Sequence, residues 1–101
     1  MAVTSKTLFR GAATTSTGTT LYTVPASTVT VVTNIIITNT AGASGTFTLG
    51  LGGTNLATTV TVGAYDSTVI DLKQALTATQ TITGGASATS INFHIAGVEI
   101  A

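Results

Sequence analysis

Threonine makes up about a quarter of this chain, and with valine and isoleucine it supplies a β-branched excess that governs what the sequence can fold into. Branching at Cβ restricts χ1 in a helix and suits a side chain to a pleated, half-buried surface, so the sequence favours strands. The apolar residues also alternate. Val29, Val31, Ile35 and Ile37 share one parity of a long candidate strand, and Phe47, Leu49 and Leu51 share one parity of the next. Period two puts each set on a buried face and leaves Thr46, Thr48 and Gly50 facing outward. The polar connector Asn39-Thr40-Ala41-Gly42-Ala43-Ser44-Gly45 between them predicts an antiparallel hairpin.

Further candidate strands run over 8–11, 19–24, 58–62, 68–72, 80–83 and 90–100, with turn signals at Gly52-Gly53, Gly63 and Gly84-Gly85. Lys73 to Leu76 has the length of one helical turn. About eight short strands at this spacing predict an all-β, antiparallel β-sandwich of jelly-roll type. In the last strand Ile91, Phe93 and Ile95 have odd parity, whereas Val98 and Ile100 have even parity. A β-bulge at Gly97 would return all five to one face and turn His94 and Glu99 away from the core. Val32 and Ile36 interrupt the polar face Thr28, Thr30, Asn34 and Thr38. They are candidate assembly contacts, under a loop of the same chain or under a neighbouring subunit.

The first residues differ from the rest. Lys6 and Arg10 precede the low-complexity run Ala12-Ala13-Thr14-Thr15-Ser16-Thr17-Gly18, which cannot bury itself. Residues 1–18 therefore read as an extended N-terminal arm on a sandwich domain of residues 19–101. Leu8, Phe9 and Arg10 are its candidate contacts with a neighbour.

At 101 residues one core is the ceiling, and the absence of Cys removes disulfides, zinc fingers and thiol chemistry. No basic stretch leads into an apolar one near Met1, so an export signal is not expected. The longest apolar run, Ile35 to Ile37, falls far short of the roughly 20 residues that cross a bilayer, and no membrane partner is expected. Charge is scarcer still: Lys6, Arg10 and Lys73 against Asp66, Asp71 and Glu99, 6% of residues in all. A typical domain has about a quarter of its residues charged. No basic cluster exists to bind nucleic acid. So little charge leaves a lone monomer poorly soluble, which implies that much of the surface is covered in an assembly.

The same scarcity argues against catalysis, because acid–base chemistry needs at least two titratable groups brought together. Asp66 and Asp71 fall on opposite parities, Asp66 reading as a turn residue after Tyr65. His94 lacks the Gly-x-Ser-x-Gly context of a hydrolase, and one His without Cys cannot form a typical zinc set. Gly50, Gly52 and Gly53 lack the Lys-Ser/Thr ending of a phosphate loop. No catalytic residue, metal or cofactor is expected. Thr-x-Thr recurs from Thr28, Thr46, Thr59 and Thr81, the pattern of an ice-binding array. The separations of 18, 13 and 22 residues have no solenoid period. A carbohydrate-binding module would need an exposed aromatic, for which Tyr22 or Tyr65 is available.

The order of motifs is the most specific signal. Leu21-Tyr22-Thr23-Val24-Pro25-Ala26 runs into a turn, then into Val31-Val32-Thr33-Asn34-Ile35-Ile36-Ile37-Thr38-Asn39-Thr40. Asp71-Leu72 and a final Gly97-Val98-Glu99-Ile100 follow. In this order the chain resembles small β-sandwich virion proteins of tailed bacteriophages, over Thr20 to Ala101. Two turns depart from that pattern: Ala26-Ser27 stands where a Gly is expected, and Thr77-Ala78-Thr79-Gln80 replaces an acidic-Gly turn. The resemblance implies a capsid decoration or cement protein, made in the host cytoplasm and located on the virion. Its expected partners are the major capsid protein or another virion protein, and itself, as a trimer or another cluster. A place in the tail, neck or a fibre is the alternative within that family.

Overall fold

The computed structural model describes residues 2–101, and in them the chain is all-β. Eight strands are present: β1 (Val3–Ala12), β2 (Thr20–Thr23), β3 (Val29–Asn39), β4 (Gly45–Leu51), β5 (Thr54–Val62), β6 (Ser67–Leu76), β7 (Thr81–Ala86) and β8 (Ile91–Ile100). They form two antiparallel four-stranded sheets, ordered β1-β8-β3-β6 and β2-β7-β4-β5. Successive strands change sheet at every step except β4 to β5, and this is the strand order of a jelly-roll sandwich.

The core fills from alternate residues of both inner faces. Ile35, Ile37, Ile91, Phe93 and Ile95 of the first sheet meet Phe47, Leu49 and Ile82 of the second, all essentially without solvent contact. Phe47 and Phe93 cross the gap edge to face, with ring centroids 6.3 Å apart at 73°. Each such side chain contributes about 1.5–3 kcal/mol by burial, and the aromatic pair adds about 0.5–1.5 kcal/mol.

The hairpin predicted between β3 and β4 is instead a crossing from one sheet to the other. Asn39 enforces it. Its Nδ2 donates to the carbonyls of Ala43 at 2.9 Å and Gly63 at 3.2 Å, and its Oδ1 accepts from Ala41 N at 3.0 Å. This buried amide ties the β3–β4 link to the β5–β6 link, so both connections fold over one end of the sandwich. The tight hairpin lies at Gly52-Gly53, where φ values of +59° and +86° match the two left-handed positions of a type I′ turn.

Other expectations also change. Lys73 to Leu76 continues β6 rather than turning into a helix. Gly84 and Gly85 lie inside β7 rather than in a turn, because neighbours approach the backbone there. A Cβ at Gly85 would sit 2.2 Å from the Ser16 carbonyl oxygen. The run read as a linker therefore packs on β7, with Ala86 N donating to Thr14 O at 2.8 Å and Gly84 N to Thr19 O at 2.9 Å.

The N-terminal segment is no free arm. Residues 3–12 are the outer strand of the first sheet, paired with β8 along its length, and Met1 lies outside the described residues. Leu8 drives this docking: it is 8% exposed and reaches over Gly97, where a Cβ would lie 2.9 Å from its Cδ1. Leu8 is also the extra residue of a bulge, since the β1–β8 register shifts between Thr7 and Phe9. The bulge expected at Gly97 thus sits in the neighbours of β8: at Leu8 in β1, and between Val32 and Asn34 in β3. Ala101 and Ala2 close the sheet with backbone bonds of 2.7 and 2.9 Å.

Candidate interaction surface

The bulge at Thr33 decides which side chains face outward. Before it, Thr28, Thr30 and Val32 are buried; after it, Ile35, Ile37 and Asn39 are buried. One extra residue reverses the parity, so Val29 and Val31 lie on the outer face although they share the parity of Ile35 and Ile37.

Register then arranges the outer face of the first sheet into cross-strand rows. Arg10, His94, Ile36 and Val69 form one, and Thr7, Ala96, Asn34 and Asp71 the next. Further along come Ser5, Val98, Val31 and Ala75, and then Val3, Ile100 and Val29. Val69 is 61% exposed and Val3 67% exposed, while Ile36, Val31, Val98 and Ile100 are half-buried. Around the first two rows lies a shallow hollow of about 390 Å³ whose lining includes Thr7, Arg10, Asn34, Ile36, Thr38 and His94. Arg10 Nη2 donates to Thr7 Oγ1 at 3.4 Å, and no carboxylate lines the hollow.

The outer face of the second sheet is chemically different. Thr20 pairs with Thr83, Thr23 with Thr81 and Thr46 with Thr61, and Thr48 lies beside Gly85. It is a threonine face, partly crossed by residues 14–17. The sandwich therefore presents mainly hydroxyls on one side and, on the other, aliphatic side chains interspersed with Arg10, His94, Asn34, Asp71 and Lys73.

The five predicted contact residues separate accordingly. Val32 is fully buried and Leu8 nearly so, and Phe9 packs against the same core, so these three hold the fold. Arg10 and Ile36 are on the outer face. The residues missed are Val31, Val69, Asp71 and Val98. The one local signal was the change of parity between Ile95 and Val98; the extra residue at Thr33 that turns Val31 outward shows only in the cross-strand register.

The titratable groups are dispersed. His94 faces outward as expected, but Glu99 turns inward at the open end of the sandwich. Its carboxylate accepts from the Tyr22 hydroxyl and from Lys6 Nζ, the latter at 3.3 Å, and Tyr22 also bonds Thr30 Oγ1 at 2.9 Å. The Tyr22 hydrogen bond, with help from Lys6 and against partial burial, holds the Glu99 carboxyl below its ordinary range. Burial and the neighbouring carboxylate push the Tyr22 phenol up. Tyr22 is thus occupied in bridging the sheets, whereas Tyr65 is 77% exposed on the β5–β6 link. Among the described residues no three His, Cys, Asp or Glu side chains converge as metal ligands. Among the same residues no helix is long and apolar enough to cross a membrane.

Compared with protein-family models and with curated proteins, the chain matches none.

Proposed function

We propose that this chain is a non-catalytic structural protein of a tailed-phage virion, a decoration module held by non-covalent burial. The observation that carries the reading is the division of its surface: a sheet face rich in aliphatic side chains, with three charged ones at its margins (Arg10 on β1, Asp71 and Lys73 on β6), opposite a threonine face. The motif order from Leu21 to Ile100 that resembles phage virion proteins supports the setting, and the jelly-roll order suits a module stacked on a shell. The dispersion of His94, Glu99, Asp66 and Asp71 over different faces and ends favours a structural role over chemistry. Attachment through a free arm is replaced by attachment through a sheet face, because β1 is integral to the fold.

Repetition over a shell turns a modest contact into a firm one. Quantitative mass spectrometry of virions purified from the phage that carries the chain tests the reading. Decoration expects hundreds of copies per particle, a few or a few dozen would move it to the tail or neck, and absence from particles would overturn the virion setting.

A further inference from the structure

The outer face of β1-β8-β3-β6 carries a second conclusion that does not depend on the virion setting. We propose that two copies of this chain pair face to face through it.

The first argument is chemical contrast. A sheet face that water covers is normally polar, as the threonine face is, with hydrophobic-in and polar-out alternation. Here Val31, Val98, Ile36 and Val69 point outward from three adjacent strands, and nothing in the described chain covers them. The segment that crosses an outer face, residues 14–17, crosses the threonine side.

The second argument is charge, and it selects the occupant. Arg10 stands on β1 at one edge of the face and Asp71 on β6 at the other, both exposed, with Lys73 two residues further along β6 on the same side. Neither has an ion-pair partner among the described residues, where the pair formed is Lys6 with Glu99. A twofold interface makes residue i meet residue j and j meet i. A dyad parallel to the strands, midway between β8 and β3, lays β1 of one copy over β6 of the other. Arg10 then lies over the partner copy's Val69, one row from the partner copy's Asp71, and Asp71 lies one row from the partner copy's Arg10, with Lys73 a further two residues away. Their rows are adjacent, about 7 Å apart along a strand, which an arginine side chain spans. The face is complementary to itself.

The third argument is size. Four strands about 4.8 Å apart and about ten residues long present a plane of roughly 600 Å². The corrugated accessible surface of that plane is larger and approaches the roughly 800 Å² per partner of a standard specific interface.

Sedimentation equilibrium of the full chain from about 1 to 200 µM tests the pairing, with a dimer expected at twice 10.0 kDa. Val69→Lys should raise the dissociation constant at least tenfold, while Thr61→Lys on the threonine face should leave it unchanged. Arg10→Asp and Asp71→Arg should each weaken the dimer, and the double exchange should restore it, because the swapped charges meet again across the dyad. Circular dichroism melts of each variant establish that the fold is retained, Val69, Arg10 and Asp71 being exposed. A chain that stays monomeric over the whole range overturns the proposal, as does a double exchange that fails to restore pairing. A monomeric chain whose association with particles is lost in Val69→Lys would assign the face to a shell protein, and that also overturns pairing. Absence of the chain from particles leaves a measured dimer intact, so the two readings fail separately.

Discussion

Asn39 offers the sharpest test of how the two sheets are joined. It is 3% exposed, and the three carbonyls that accept from its Nδ2, with the one backbone N–H that donates to its Oδ1, fix the orientation of the amide. Asn39→Ala removes the bonds to Ala43 O at 2.9 Å, Gly63 O at 3.2 Å and from Ala41 N at 3.0 Å, leaving those groups short of partners. At about 1 kcal/mol net for each bond, the loss is about 3 kcal/mol. For a domain of this size that lowers Tm by about 12–24 °C in a calorimetric or dichroism melt. Asn39→Asp keeps the shape but turns a carboxylate oxygen toward the carbonyls, so at pH 7 it costs more than Asn39→Ala. That carboxyl has a folded pKa raised above its unfolded value. Its variant therefore gains stability as pH falls and a proton returns to donate. A Tm loss below about 4 °C for Asn39→Ala would refute the idea that this amide ties the connections together. So would an Asn39→Asp variant as stable as Asn39→Ala at pH 7.

Ser27 and Thr79 adopt φ of +56° and +70°, a region costing a non-glycine residue about 1–2 kcal/mol. Ser27→Gly and Thr79→Gly should each stabilise the fold by about 0.5–1 kcal/mol in urea unfolding, and a loss at either position would show that its side chain matters more than its backbone. Gly85→Ala should do the reverse. The added carbon meets the Ser16 carbonyl and prises residues 14–17 off β7, at a cost of about 2 kcal/mol by the same assay. The Glu99 carboxyl is held below its unfolded value, so its contribution is present above about pH 4.5 and is lost as pH falls through the folded value. Tm should drop as pH falls below about 4.5, and Glu99→Gln should flatten that acid limb. An equally steep limb in Glu99→Gln would place the acid sensitivity elsewhere.

The class and the strand positions were legible because they depend on local alternation. Phe47, Leu49 and Leu51 point inward and Thr46 and Thr48 outward, as period two requires. What escaped were the features set by contacts distant in sequence. Gly84-Gly85 looks like a turn until residues 14–17 are seen crossing it. Leu8 looks like part of an arm until Gly97 is seen making room for it. The two turn departures were visible as sequence, Ala26-Ser27 and Thr77-Ala78-Thr79-Gln80, and each contains a left-handed residue where glycine would carry no Cβ penalty. The link from Asn39 to Gly45 misled because hairpins and sheet crossings use the same polar residues; only the buried amide distinguishes them.

The parity of β3 connects fold to surface. With a regular strand from Val29 to Ile37, Val29, Val31, Ile35 and Ile37 would all be core and the outer face would carry Thr28, Thr30, Asn34 and Thr38. The bulge at Thr33 sends Thr30 inside, where Tyr22 satisfies its hydroxyl, and sends Val29 and Val31 outside to join Val98 and Ile100 of β8. A buried hydroxyl needs a partner or it costs about 1–3 kcal/mol, so the Tyr22–Thr30–Glu99 cluster is the condition for placing valines on the surface. Tyr22→Phe should therefore weaken the fold by about 1–2 kcal/mol in urea unfolding. It should also reduce the acid dependence carried by Glu99 while leaving the outer rows in register. A Tyr22→Phe variant with wild-type stability and an unchanged acid limb would sever this link between the inner cluster and the outer face.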